Sequence, residues 1–425
     1  MIRKFRRLIL LTLLVFATGV LLSGCGGEKK NSTEGQQNLS GTQLSFLMLG
    51  NYKGDTAAKL IPQFEKETGI KVKMDLVPLN NLFDKMSVAL ASKSGSYDVL
   101  FIDEPYIPAL AQYLLPLDDF IKRDNLDPKQ FIPTTWAAGA YQGKQYAIPV
   151  DANVPILFYR KDIFEEKGLK PPKTWSEAYE LAKKLNDPGK DFYGYAIAGK
   201  KDIQTGINAT MFLWSWGGEV LDSNNNFGFA SDAGVAALNH YKKMTEVAPP
   251  GVLGYTLTEV NSAMQQGKVA MIHNWCSVSV DLTNPNKSKV ADKIGFAVLP
   301  AEKQFAPMRG VWTIGIAKDS KKAEAAWKFV KWLTSKPAQM VWNAGGATTP
   351  TRYDILQDPE YQKKFPWIPV VLQSLEKAKS RPRISNWNSM QELIDTMASE
   401  VLSGQISPEE AGKKYSILVA ENVKK

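Results

Sequence analysis

Three carboxylates follow two short apolar segments that are predicted to be strands. Asp103 and Glu104 come after residues 99–102, and Asp151 comes after residues 147–150. In open α/β sheets, ligands bind beyond the carboxyl ends of the strands, so we expect these side chains to line one crevice. Carboxylates in such a crevice accept hydrogen bonds from ligand hydroxyl groups. The alternative for each acid is a helix cap or a surface charge.

Trp275 occupies a similar position, two residues after the predicted strand 269–273. A sugar presents apolar C–H faces and a rim of hydroxyls, so a site for it combines aromatic walls with convergent polar groups. Acids and an indole after predicted strands therefore indicate a candidate binding site for a small molecule, and a sugar is one ligand that these residue types would suit. The alternative for the indole is a place in the core, which is our interpretation of Trp327, Trp332 and Trp342 on apolar helix faces.

The residues that most enzymes and metal sites need are scarce in this chain. His240 and His273 are its only histidines, which argues against a catalytic triad or a multi-histidine metal site. No G-x-S-x-G, H-E-x-x-H or phosphate-binding glycine loop occurs. We therefore predict no catalytic residue, no metal and no cofactor, and we interpret Cys276 as a buried small apolar side chain.

The elements that position these residues alternate between short strands and amphipathic helices. The first five are predicted over 44–49, 55–68, 70–77, 82–93 and 99–102, as strand, helix, strand, helix and strand. This order predicts a parallel α/β sheet with right-handed crossovers.

The remaining elements continue the alternation and become mainly helical in the last quarter. Further strands are predicted at 145–150, 156–159, 269–273 and 293–299, and further helices at 175–185, 233–247, 259–266, 321–334 and 390–402. Thr174 is the predicted cap of the helix at 175–185.

The N-terminus has the features of a secretory signal. Residues 1–7 carry four basic and no acidic side chains, residues 8–22 are apolar, and Leu-Ser-Gly-Cys ends at Cys25. This ending resembles the lipobox of bacterial lipoproteins, which implies cleavage after residue 24 and acylation of Cys25. Residues 25–41 are polar and read as a flexible tether. An ordinary signal peptide with an incidental cysteine is the alternative.

Charge and cysteine content limit the partners and the stabilising chemistry. Removal of residues 1–24 lowers the formal net charge from +9 to +5, which is mild for about 400 residues and does not predict nucleic-acid binding. With Cys25 acylated, Cys276 has no cysteine with which to form a disulfide. At 44% hydrophobic residues the chain is expected to fold through its own core, as two domains.

Five stretches resemble the carbohydrate-binding class of family 1 extracellular solute-binding proteins of ABC transporters, which includes the maltose-binding protein. They are PQFEKETGIKV (62–72), YDVLFIDEPYIPALAQYLLPLDDFI (97–121), GKQYAIPVDANVPILFYRKDIFEEKGLKPPKTWSE (143–177), MQQGKVAMIHNWCS (264–277) and AEAAWKFVKWLTSKPAQ (323–339). The third is the most specific, and together they span nearly all of residues 42–420.

The resemblance implies a two-lobed α/β fold of the periplasmic-binding-protein type II, with discontinuous lobes around a central cleft. Lobe 1 is expected to comprise 42–150 and 300–328, and lobe 2 to comprise 151–299 and 329–425. Ligand binding would close the lobes about a hinge. The implied role is a monomeric, lipid-anchored binding component on the extracytoplasmic face of the cell membrane, which delivers a sugar, oligosaccharide or polyol to ABC permease subunits.

The resemblance also assigns ligand contacts in several segments. From the first lobe and the crossings it implies Asn51, Tyr52, Asp103, Glu104, Asp151, Gly310 and Trp312. From the second lobe and the last quarter it implies Trp214, Trp216, Trp275, Arg383 and Trp387. The loop at 50–55 lacks the tryptophan and acid common there in the family, with Asn51 in place of an acid. A maltodextrin ligand is therefore not assumed.

Other functions remain open at this point. A polyamine or peptide binder on the same fold would use Asp103, Glu104 and Asp151 as counter-charges. A lipid-anchored glycoside hydrolase or lyase would need an acid pair across a cleft. A purely structural surface lipoprotein would need neither the acid pair nor the cleft. Turnover of an oligosaccharide separates the enzyme from the binder.

Overall fold

The computed structural model describes residues 38–346 and 348–423, so the predicted signal peptide and Cys25 lie outside the described residues. The strands in this part of the chain are β1 Gln43–Leu49, β2 Lys71–Val77, β3 Val99–Asp103, β4 Ala140–Tyr141, β5 Lys144–Gln145, β6 Ala147–Asn153, β7 Pro155–Arg160, β8 Tyr193–Ala196, β9 Val269–Trp275, β10 Ile294–Ala297 and β11 Gly310–Ile316.

Helices surround these strands. They are α1 Tyr52–Thr68, α2 Leu79–Ala91, α3 Ile107–Leu110, α4 Asp118–Arg123, α5 Pro133–Trp136, α6 Lys161–Glu166, α7 Trp175–Leu185, α8 Ile203–Ser215, α9 Asp232–Met244, α10 Leu257–Gln265, α11 Ser279–Leu282, α12 Ala323–Leu333, α13 Lys336–Trp342, α14 Tyr353–Leu356, α15 Pro359–Lys364, α16 Ile368–Lys377, α17 Trp387–Leu402 and α18 Pro408–Val423.

The first sheet has five strands in the order β2-β1-β3-β11-β6. β1 pairs in parallel with β2 and β3, as the order of strands and helices predicts. The sheet is nevertheless mixed and not purely parallel, because β11 inserts between β3 and β6 and runs antiparallel to both. Every residue of β3 and β11 is buried, which is typical of central strands covered on both faces.

The second sheet has four strands in the order β10-β7-β9-β8. β7 runs antiparallel to β10 and β9, and β8 runs parallel to β9. Helix α7 beside this sheet begins where it was predicted to begin, because Thr174 and Glu177 form a reciprocal capping box. In the first lobe, Gly69 caps the C-terminal end of α1, and its φ of 71° favours glycine.

Separate hydrophobic clusters pack against the two sheets. The first contains strands β1 and β3 and includes Trp327 and Trp342, with Trp332 packed against it, as predicted for these three rings. Two further clusters cover the second sheet and contain most of the last quarter of the chain. The lobe boundaries at 150, 299 and 328 stay a prediction, and we propose moving the third beyond Trp342 because that ring belongs to the first cluster.

Among the described residues, no helix is both long enough and apolar enough to span a bilayer.

Candidate functional site

One edge of the first sheet collects the ends of its strands. β1, β3 and β6 run in the same direction, and β11 runs in the opposite direction. The carboxyl ends of β1, β3 and β6 therefore lie at the same edge of the sheet as the start of β11 at Gly310. At this edge Trp312 of β11 is the register partner of Asp103 on β3 and of Asp151 on β6. The indole therefore lies between two carboxylates, one from each strand that flanks β11.

The second sheet presents a corresponding edge at the same place. Trp275 ends β9 and pairs with Pro155, the first residue of β7. Val154 alone separates β7 from the end of β6 at Asn153, so the two edges adjoin where the chain passes between the sheets. Asn153 also joins them through its side-chain oxygen, which accepts from the Cys276 thiol at 3.1 Å. This junction is the candidate ligand site.

Asp151 forms a buried ion pair with Lys53, from the N-terminal end of α1. One carboxylate oxygen accepts from the Lys53 Nζ, and the other accepts from the backbone N–H of Thr349 at 2.9 Å. Burial acts to lower the pKa of Lys53, but the charge and hydrogen bond of Asp151 prevail and raise it above its usual value. Lys53 is therefore a cation held beside the indole of Trp312, with 5.7 Å between its Nζ and the ring centroid.

Asp103 and Glu104 each pair with an arginine from a distant segment. Arg381 donates to Asp103 at 3.0 Å, and Arg309 donates through its Nε to Glu104 at 2.8 Å. The second carboxylate oxygen of Glu104 accepts from the hydroxyl of Ser380 at 2.9 Å. The three acids predicted from the sequence thus lie in one region, each with its own buried cation.

Of the three ion pairs, the Asp103–Arg381 pair has its hydrogen-bonding groups least completely satisfied. Burial raises the pKa of Asp103, the Glu104 charge adds to this effect, and Arg381 opposes it. Arg381 is only 4% exposed, yet its Nε has no hydrogen-bond partner among the described residues. A buried donor without a partner costs about 1–3 kcal/mol. A hydroxyl oxygen placed beside it would remove that cost.

Two indoles border the charged pairs. The Trp312 ring stacks on Phe101, with centroids 4.8 Å apart and planes 6° from parallel. Trp275 is half-buried, and its Nε1 donates to the Gln204 side chain at 2.9 Å. A Cβ on Gly310 would lie 2.8 Å from Cζ3 of Trp275, so the absence of a side chain at 310 lets this ring lie on the β11 backbone.

Three other predicted residues, Asn51, Tyr52 and Arg383, take different positions near this edge. Asn51 caps α1 by accepting from the backbone N–H of Lys53 at 2.9 Å, and Tyr52 is 40% exposed beside it. The guanidinium of Arg383 donates to backbone carbonyls, including that of Glu104 at 2.9 Å, and its contact with a ligand stays a prediction. Its role in the structure is to hold the 380–383 segment against the first lobe.

Two predicted indoles lie in the core of the second lobe, and a third, Trp216, is partly buried against it. Trp214 and Trp387 are almost fully buried in the largest hydrophobic cluster. Trp216 packs against His240 with ring centroids 4.7 Å apart. The structure does not place these rings among the charged pairs, and their contact with a ligand stays a prediction.

Four polar residues of the junction were not predicted as ligand contacts: Lys53, Gln204, Arg309 and Arg381. Each cation is at least 98 residues from its acid in the sequence, so no local spacing pairs them. The sequence signal for the cations was their closeness to predicted contacts: Lys53 follows Tyr52, Arg309 precedes Gly310, and Arg381 lies two residues before Arg383.

The chemistry available here is hydrogen bonding beside aromatic surfaces. Among the described residues, no group of three or more His, Cys, Asp or Glu side chains is placed to hold a metal ion. Cys276 is fully buried, as predicted, and burial raises the pKa of its thiol to about 11, which keeps it protonated.

Comparison with known proteins identifies the family of the chain. Residues 50–340 match the family described as bacterial extracellular solute-binding protein. A curated relative in Sinorhizobium fredii, named a probable amino-acid ABC transporter periplasmic-binding protein, is 31% identical over 357 residues, which cover 79% of each chain.

Two solved structures share the fold over nearly their whole length. An ABC transporter solute-binding protein from Agrobacterium radiobacter K84, in complex with ribitol, superposes with a TM-score of 0.82 at 30% identity. It covers 90% of this chain and 99% of its own. Maltose-bound T. maritima MalE3 superposes with a TM-score of 0.81 at 26% identity, covering 89% and 99%.

Proposed function

Because the chain belongs to the bacterial extracellular solute-binding protein family, we propose that it captures a neutral sugar or polyol at the junction of its two lobes and delivers it to an ABC importer. The family resemblance and the type II two-lobed fold predicted from the sequence are confirmed. The ligand and the contacting residues are our proposal. Closure of the lobes around the solute would supply contacts from both sheets at once.

The observation that carries the ligand class is the pairing of each acid with a cation beside two indoles. An ion pair offers an acceptor and a donor side by side, which suits neighbouring hydroxyls of a polyol. The relatives bound to ribitol and to maltose support this ligand class. An amino acid is the rival, because one relative is named for amino-acid transport. It would require charges that are already neutralised in the Asp103–Arg381 and Asp151–Lys53 pairs.

We further propose that the protein acts as a monomer without enzymatic activity. Its location would be the extracytoplasmic face of the membrane, with a lipid on Cys25. The motif Leu-Ser-Gly-Cys supports the anchor, and the family's transport role supports a permease and an ATPase as partners. The sequence has no phosphate-binding motif of its own, so the ATPase would be a separate chain.

A thermal-shift screen tests the ligand class. We expect ribitol, mannitol or maltose to raise the unfolding temperature, and a ligand at a hundredfold excess over its Kd to add about 2.7 kcal/mol. Glutamate, leucine and spermidine are the comparison arms and are expected to have no effect.

Two results of this screen would contradict the proposal. One is stabilisation by an amino acid or spermidine but by no sugar or polyol. The other is release of smaller products when maltose is incubated with the protein, which chromatography would detect and which would indicate an enzyme.

A further inference from the structure

A chain of buried polar side chains leads from the Trp275 indole into the second lobe. The Nε1 of Trp275 donates to Oε1 of Gln204 at 2.9 Å, and Nε2 of Gln204 donates to Oδ1 of Asn208 at 2.8 Å. Gln204 and Asn208 are four residues apart on α8, so they lie on one face of that helix. Both side chains are almost fully buried.

His273 determines which atoms donate and which accept in this series of hydrogen bonds. Its Nε2 lies 3.0 Å from the same Oδ1 of Asn208, and because that oxygen can only accept, Nε2 carries the proton. Its Nδ1 therefore accepts from the hydroxyl of Tyr195 at 2.9 Å. Burial lowers the pKa of His273 to about 4, so the ring stays neutral near pH 7. The neutral tautomer thus has a defined partner at each nitrogen.

The remaining end of the chain is also satisfied. The amide nitrogen of Asn208 donates to the hydroxyl of Tyr241 at 3.2 Å, and that hydroxyl donates to the carbonyl of Ala198. Because Oδ1 of Asn208 can only accept, Nε2 of Gln204 faces it and the Gln204 oxygen faces Trp275, so this amide has one favourable orientation. A buried network in which each side chain has such partners specifies the orientation of its members.

The opposite edge of the same indole rests on the first lobe. A Cβ at Gly310 would lie 2.8 Å from Cζ3 and 3.0 Å from Cη2 of the ring. Gly310 is two residues before Trp312, so the supported ring lies beside the charged pairs. The indole is therefore held at its pyrrole nitrogen by α8 and along its benzene edge by the β11 backbone.

Resting on the proposed function, we propose that Gln204 is a positioning residue for the ligand, which acts by fixing the orientation of the Trp275 indole. Stacking on a sugar face requires one ring plane, and a ring that is already ordered loses less side-chain freedom when ligand binds. Gln204 touches the ring and not the solute, so its contribution depends on the Trp275 nitrogen.

A double-mutant cycle tests this dependence, with ribitol as the probe and maltose as the second probe. Gln204→Leu in the natural chain is expected to weaken binding about tenfold, the size typical of one lost buried hydrogen bond. In the Trp275→Phe background, where no ring nitrogen exists, the same substitution is expected to change the Kd less than about twofold. Titration calorimetry measures both values.

Equal losses in the two backgrounds would overturn the proposal, since Gln204 would then act on the solute or on the fold. So would no loss in the natural chain. Gln204→Met, which keeps the side-chain length, is the second variant if the leucine variant unfolds. Thr210→Val is the matched control, because this α8 hydroxyl is buried and has no partner among the described residues.

A readout without ligand separates this inference from the proposed function. The near-UV circular dichroism that the natural chain has and the Trp275→Phe variant lacks comes from the ordered Trp275 indole. We expect Gln204→Leu to remove most of that signal and Thr210→Val to retain it. If the signal survives Gln204→Leu, the positioning role is wrong whether or not any solute binds. If neither probe binds but the signal is lost, the proposed ligand class fails and the positioning of Trp275 by Gln204 stands.

Discussion

Replacing Asp151 by alanine is expected to lower the free energy of unfolding by about 3–5 kcal/mol, the usual cost of breaking a buried ion pair. The substitution leaves Lys53 buried with no counter-charge and leaves the backbone N–H of Thr349 without its acceptor. The pKa of Lys53 is expected to fall, because burial is then no longer opposed by Asp151. Urea unfolding at pH 7 measures the change.

Two further variants make this prediction specific. Glu180→Ala removes an exposed pair with Lys183, 3.8 Å long, and is expected to change the free energy by less than about 0.5 kcal/mol. The double variant Lys53→Met, Asp151→Leu removes both charges and is expected to recover most of the loss. A loss below about 1 kcal/mol for Asp151→Ala would show that the pair is not buried as described.

Stability is expected to fall as the pH drops below 6.5, because two buried histidines resist protonation. Burial lowers the pKa of His240 to about 3 and that of His273 to about 4. Unfolded histidine titrates near 6.5, so below this pH the unfolded chain binds protons that the folded chain does not. Each histidine then removes up to about 1.4 kcal/mol of stability per pH unit, until the pH reaches its folded pKa.

His240→Leu is the variant that isolates this effect, because His240 lies outside the network that holds Trp275. Its Nε2 has no partner among the described residues, so the substitution strands no polar group. Unfolding curves between pH 7 and pH 4.5 are expected to show a slope smaller than in the natural chain, by an amount that rises to about 1.4 kcal/mol per pH unit well below pH 6.5. Identical slopes would contradict the neutral, buried state of His240.

The variant must be compared with the natural chain because Asp395 acts with the opposite sign. Burial raises the pKa of this carboxyl to about 7, although the Gln391 side chain opposes the shift. Its stabilising contribution is complete below about 3.8 and is lost as the pH rises through about 7. Both the natural chain and the His240→Leu variant contain Asp395, so its contribution cancels when their free energies of unfolding are subtracted.

The elements of the first lobe were predictable because their patterns are local. β1, α1, β2, α2 and β3 each begin within about three residues of the predicted positions, as expected for strongly patterned segments. α7 was located by Thr174, whose capping box depends on residues only three apart. β11 was not predicted as a strand. Its pairing with β3 joins residues about 200 positions apart, which no local pattern reports.

In the candidate site, too, some residues could be predicted from local sequence and others could not. The acids were identifiable because each lies at or next to the carboxyl end of a strand that ends at the junction. Their cations were not, because a side chain's charge does not indicate which distant acid it will meet in the fold. Lys53 shows this most clearly: its loop was judged atypical for the family, yet it supplies the cation for Asp151. Trp214 and Trp387 show the converse, since their sequence context did not reveal how deeply they are buried.

The crystal structure of the complex with the most stabilising sugar or polyol tests the central claim most directly. The account predicts one solute at the junction of the two sheets, with a hydroxyl oxygen within about 3.2 Å of the Arg381 Nε and a C–H face against the Trp275 ring. A solute held by residues of one lobe alone, away from both Arg381 and Trp275, would contradict it.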